Sequence, residues 1–181
     1  MVTGVSCSGK DFLLELIRPL LSITIVNFGE ELFRELQFSH PELTSRDEIR
    51  AISSQDVNRA VMKVNCCLVS SQPVVVSSHI VVRVGGDLVV RPDSDEILSP
   101  QVYIHVSAPV EEILVRRGSN NRGRMELAET KKEVGFHQDL SEIITARVAQ
   151  KQGSAFVRVW NQSGSEEECL QVLESTLVRF H

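Results

Sequence analysis

The sequence predicts an α/β fold around a parallel sheet, on three observations. Short β-branched runs alternate with helical patterns along the chain. Most of those runs are nearly continuous in apolar residues, as in strands covered on both faces. A glycine-bearing loop stands between the first β-type residues and the first helical pattern. Strands alternating with helices make βαβ units, and such units pair their strands in parallel.

The β-type runs are Ser22 to Asn27, Pro73 to Ser77, Val102 to Val106 and Ala155 to Trp160. The first three are the nearly continuous ones and are expected to be buried on both faces. The last alternates more, which suits an edge strand. Helical spacing of apolar residues runs through Phe12 to Leu21, Arg46 to Leu68, Pro109 to Arg117 and Ser165 to Phe180. The third of these opens with proline and two acids and closes on two arginines, an order that complements the helix dipole. Between Ile80 and Val90 two β-type runs flank Gly85-Gly86, which predicts a β-hairpin insertion.

With 181 residues the chain is expected to be a single domain, 1–181, with a sizeable core. Its composition is 42% hydrophobic and 24% charged, which argues against a disordered chain. No run approaches the roughly 18 apolar residues of a membrane span, and no secretory signal is visible, so a cytoplasmic protein is expected. A net charge of −5 gives no general surface for nucleic acid. Cys7, Cys66, Cys67 and Cys169 have neither zinc-site nor disulfide-framework spacing and read as reduced thiols. Asn161-Gln162-Ser163 matches a glycosylation sequon, taken as accidental without a secretory signal.

The most informative segment is Gly4-Val5-Ser6-Cys7-Ser8-Gly9-Lys10-Asp11. It fits G-x-x-x-x-G-K, the phosphate loop between a strand and a helix. Glycines let successive backbone N–H groups turn inward toward phosphate oxygens. The helix adds its positive N-terminus, and Lys10 reaches the β- and γ-phosphates. Gly4, Ser6, Cys7, Ser8, Gly9, Lys10 and Asp11 are thus the expected ATP-phosphate binders. Asp11 stands where the motif has a Mg²⁺-binding hydroxyl. It reads either as a replacement metal ligand or as an acid suiting the helix dipole. Only three residues precede Gly4, where a central strand usually has about five or six. Either residues of that strand are missing from this chain or the strand is short.

From Arg116 to Arg124 the chain carries four arginines in nine residues, with two glycines and two asparagines among them. Phosphoryl transfer needs cations that close over the transferring group, and arginine does so bidentately. A solvated basic loop or an RNA-contacting patch would look the same in isolation. Beside a phosphate loop the mobile-lid reading leads, which makes Lys10, Arg117, Arg122 and Arg124 the catalytic candidates. His79 ends a strand where α/β sheets bind ligands, though a lone histidine is as often a structural hydrogen-bonder. Phe28 can stack on a base or pack in the core.

Taken in order, several stretches resemble the archaeal-type adenylate kinases and related nucleoside monophosphate kinases. These are Val2 to Asp11, Val26 to Glu30, Arg46 to Arg50, Val74 to His79, Glu112 to Arg117, Arg122-Gly123-Arg124 and Glu133 to Gln138. The resemblance implies a P-loop NTPase fold, with a five-stranded parallel sheet flanked by helices and a short lid at about 118–125. It implies acceptor-binding helices at about 29–71 and ATP-dependent phosphoryl transfer to a nucleoside monophosphate, AMP foremost, with Mg²⁺. On that likeness Asn27, Phe28, Gly29, Arg46, Arg50 and His79 lie toward the acceptor nucleotide, and Asn161 toward the donor base. Where that family carries aspartate in a D-x-H arrangement this chain has Ser77, and Asp11 is expected to supply the missing charge as metal ligand. The partners expected are ATP and a small acceptor. Two alternatives stand beside AMP phosphorylation: a kinase of another small metabolite on the same fold, and a catalytically impaired nucleotide-binding regulatory module.

Overall fold

In the computed structural model, which describes residues 1–21, 23–70, 74–84, 86–90, 98–119 and 129–180, five strands form one parallel sheet. They are β1 (Val2–Thr3), β2 (Thr24–Asn27), β3 (Val74–Ser77), β6 (Val102–Ser107) and β7 (Ala155–Trp160), in the order β2-β3-β1-β6-β7. Central β1 is short but fully paired: Val2 stands opposite Ser77 on one side and Ile104 on the other. The Met1 ammonium donates to the Val102 carbonyl at 2.7 Å, extending that register by one residue. β4 (Val81–Val84) and β5 (Asp87–Val90) form the separate antiparallel hairpin read from the sequence. Gly85 lies outside the described residues, as do Ser22 and Pro73 at the starts of two predicted strands.

The edge position of β7 agrees with its alternation. β2, expected in the interior, forms the opposite edge, and its residues are half-buried to exposed. Its apolar run reflects one covered face and one partly covered one, which periodicity cannot separate over four residues.

Side chains alternate across the sheet and feed two cores. Val76 and Tyr103 face helices α2 (Phe28–Ser39), α3 (Ser54–Ser70) and α5 (Lys131–Gln152). Val75, Ile104 and Val159 face α1 (Lys10–Ile17) and α6 (Glu166–Arg179). The remaining helix, α4 (Val110–Ser119), packs Ile113 with Val5, Ala108 and Val134 beside the phosphate loop.

Two predicted helices come out differently. The first ends at Ile17 rather than Leu21: Arg18 keeps helical backbone and donates to the Leu14 carbonyl, but Pro19 has no N–H with which to continue the ladder. The long Arg46-to-Leu68 pattern is broken: Arg46–Ala51 is a 3₁₀ turn, Ile52 is extended, and α3 starts anew at Ser54. The break is capped by Ser53, whose Oγ accepts from the Asp56 N–H at 3.2 Å and donates to its carboxylate at 2.8 Å. Helix α2 carries Phe28, Leu32, Phe33 and Leu36 at helical spacing, whereas α5 lacks a clean apolar stripe in the sequence. In α5 the buried face includes His137, Gln138, Ser141 and Thr145, so polar residues occupy core positions.

Candidate functional site

The phosphate loop leaves β1 at Gly4 and enters α1 at Lys10. Cys7 and Gly9 take positive φ, 66° and 92°, which curls the loop back on itself, and the Ser8 N–H donates to the Val5 carbonyl at 3.2 Å. A side chain on Gly4 would reach within 2.5 Å of the Val106 carbonyl, and one on Gly9 within 2.0 Å of the Asn161 amide. Only hydrogen fits at either place.

Side chains from distant parts of the chain hold the outward-facing carbonyls of this loop. His79 lies 2.6 Å through Nδ1 from the Gly4 carbonyl. A carbonyl only accepts, so the proton is on Nδ1. Nε2 is then free to accept from the Lys10 ammonium, 3.2 Å away. Arg117 donates to the Ser6 carbonyl at 3.2 Å, and Arg116 to the Ser8 carbonyl at 3.3 Å. Asn161, 2% exposed, donates through Nδ2 to the same Ser8 carbonyl at 2.8 Å. Glu112 pairs with Arg116 and accepts from Ser163, tying α4 to the turn after β7. Glu129 pairs with Arg117 and also with Arg83 of the hairpin.

Lys10 is 5% exposed in its side chain, while the neighbouring Asp11 is 57% exposed, and their charged ends are 3.5 Å apart. Ser77, at the end of β3, donates to Asp11 Oδ1 at 2.6 Å. Partial burial pushes the Asp11 carboxyl up, but the Lys10 ammonium, the Ser77 hydrogen bond and His79 outweigh it and hold it below the ordinary aspartate value. Asp11 is therefore an ionised carboxylate beside the cradle at neutral pH. Among the described residues no group of three His, Cys, Asp or Glu side chains could hold a metal by itself. A carboxylate and a hydroxyl do suit Mg²⁺ that arrives with phosphate oxygens and water, since Mg²⁺ needs only one or two protein ligands in nucleotide sites.

On the other side of β3, Asn27 caps α2 by accepting from the Glu30 N–H. The Arg46 guanidinium approaches Gly29 so closely that a Cβ there would lie 3.3 Å from it. Beside them opens a groove of about 470 Å³ lined by Glu30, Phe33, Arg34, Gln37, Ser45 and Arg46. Phe28, 6% exposed, packs in the core, the second of the two roles open to it from sequence.

The family described as an AAA domain matches residues 3–134, a span holding the phosphate loop, β3, His79 and the arginines of α4. The chain belongs to that family. Shikimate kinase from Acinetobacter baumannii, solved in complex with shikimate, superposes with a TM-score of 0.62 at 15% identity, over 98% of this chain and 92% of that one. Shikimate kinase from Bacteroides thetaiotaomicron superposes with a TM-score of 0.59 at 14% identity, over 97% and 96%. These likenesses show the P-loop kinase fold. No protein of curated function matches the chain by sequence.

In this AAA domain the predicted phosphate binders form one continuous cradle, and Asn27, Gly29 and Arg46 gather beside the groove. His79 sits against Lys10 and Gly4, and Asn161 lies beneath the loop. Arg122 and Arg124 fall outside the described residues, as does the Arg50 side chain. Sequence reasoning passed over Arg116, Glu112 and Glu129. The i,i+4 spacing of Glu112 and Arg116 was a usable signal for the first two. The Glu129 pairings join separate elements and have none. No helix among the described residues is long and apolar enough to cross a membrane.

Proposed function

We propose that this AAA domain catalyses ATP-dependent phosphoryl transfer to a small-molecule acceptor, with Mg²⁺ accompanying the nucleotide. The observation that carries the reading is the loop closed by Cys7 and Gly9 in left-handed backbone over the buried Lys10. Phosphoryl transfer depends chiefly on positioning and charge stabilisation. Lys10 supplies a cation at the cradle, and Arg117 keeps the loop in shape from behind. A lid at about 118–125 would bring Arg122 and Arg124 over the phosphates. Asp11 is the protein ligand offered to Mg²⁺, which when bound neutralises phosphate charge. The whole chain, 1–181, acts as one domain in this reading, in the cytoplasm, with the acceptor held by the segment at about 29–71.

The finer reading is a nucleoside monophosphate acceptor, AMP foremost. It rests on the adenylate kinase resemblance and is supported by Arg46 standing over Gly29 beside an open groove. The second reading, a hydroxylated metabolite acceptor, is favoured by the fold shared with shikimate kinases. A coupled assay with ATP, Mg²⁺ and a panel of monophosphates and hydroxy acids separates the two. Turnover is expected with one class only, and Lys10→Ala should lower kcat/KM by roughly a hundredfold or more. Nucleotide binding with no turnover on any acceptor would point instead to a regulatory nucleotide-binding module.

A further inference from the structure

P-loop sites hold their divalent cation between a hydroxyl directly after the loop lysine and a carboxylate on a neighbouring strand. Here both groups are present in exchanged places. Asp11 follows Lys10 on α1, Ser77 ends β3, and the two side chains touch at 2.6 Å. We infer that the two metal-holding groups are transposed between α1 and β3, and that this makes nucleotide affinity itself, beyond turnover, depend on a divalent cation. The inference rests on the nucleotide-binding reading above.

The physical reason is charge placement. A serine after the lysine is neutral, so a phosphate chain can enter the cradle with or without a metal. Asp11 places a full negative charge there, on a side chain open enough to meet an arriving phosphate. It also lies 3.5 Å from the Lys10 ammonium, so it offsets part of the cation that the phosphates would otherwise meet. Without a cation, nucleotide therefore faces repulsion from Asp11 and a partly neutralised Lys10. A divalent cation held by Asp11 would remove both penalties. Ser77 orients the carboxylate from the strand side, the position from which an acid would otherwise act.

The test is ADP binding to the full chain by calorimetry, in Mg²⁺ and in EDTA. Wild type should bind at least about tenfold more weakly in EDTA, the weight of one poorly screened like charge near a phosphate. Asp11→Ser should bind ADP more tightly than wild type in EDTA, and its Mg²⁺-to-EDTA ratio should fall toward one. The isosteric Asp11→Asn should do the same, and thermal unfolding without nucleotide shows that each variant is folded. Asp11→Ser with Ser77→Asp, which restores the usual placement of hydroxyl and acid, should stay as weakly metal-dependent in ADP affinity as Asp11→Ser alone. Metal-independent binding by wild type, an Asp11→Ser variant as metal-dependent as wild type, or a double variant as metal-dependent as wild type overturns the inference alone. No ADP binding by wild type under any condition overturns the nucleotide-binding reading, and the inference with it.

Discussion

The phosphate loop and the α2 groove lie on either side of β3 and are held in opposite ways. The loop carbonyls are fixed by His79, Arg116, Arg117 and Asn161, which lie 75 to 153 residues away in sequence from the groups they hold. Around the groove the polar ties are local: Asn27 to Glu30, Glu31 to Arg34, Gln37 to Leu43, and Thr44 to Glu48 span three to six residues. A loop fastened by the whole fold has its conformational entropy settled before a ligand arrives, so it can present a rigid cradle. The groove is anchored instead by apolar packing, with Leu32 and Leu36 of α2 in the core beside Val76 of the sheet.

Three measurements test that contrast. The largest effect is expected from Gly9→Ala. A Cβ must share space with the buried Asn161 amide and adopt φ near 92°. Left-handed backbone and the loss of the Asn161 bond to the Ser8 carbonyl, which Arg116 still contacts, together cost about 2–3 kcal/mol. Nucleotide affinity measured by titration should fall by about thirtyfold or more. A small effect would show that the loop is not held from afar.

The second measurement probes the floor of the cradle. His105 is fully buried opposite Thr3, with its Nδ1 3.0 Å from the Thr3 hydroxyl. Burial and the nearby Arg158 charge push its pKa down to about 4 from 6.5. The unfolded chain therefore binds more protons between those values, and the stability owed to a neutral His105 is full above pH 6.5 and fades as pH falls toward 4. The loss amounts to as much as about 3 kcal/mol. Thermal unfolding followed from pH 7 to pH 4.5 should show a steep fall that is flatter in His105→Asn.

The smallest effect is expected at the groove. Arg46→Ala should raise the acceptor KM about tenfold, the weight of one charge-assisted hydrogen bond, while the ATP KM stays put. Equal changes in both constants would mean that the two regions are mechanically one.

The sequence exposed most of the fold, because the strands that build the sheet are short, branched and bounded by turn residues. It also exposed the cradle, because the glycine and lysine spacing is local. It hid α5, whose inward face carries His137, Gln138, Ser141 and Thr145 in place of an apolar stripe. It hid the 3₁₀ break before α3 because Ile49, Ile52 and Val57 keep helical spacing through it, although Ser53 and Asp56 mark a cap. A structural hydrogen bond was one of the two readings open to His79, but the partners of His79 and Asn161 were out of reach for a different reason. Each depends on which carbonyl the folded loop turns outward, a three-dimensional outcome that pairwise spacing does not encode. The Asp11–Ser77 contact lies between these cases: the two departures from pattern were visible, and their touching was not.

Glu129 is 5% exposed in its side chain and receives both Arg83 and Arg117, themselves largely shielded from water. Arg83 also acts on Glu133, so the charges behind Ser6 stand two against two rather than in surplus. The shielded cluster ties the hairpin to the carbonyl side of the phosphate loop, and a change at the hairpin reaches Ser6 through Glu129.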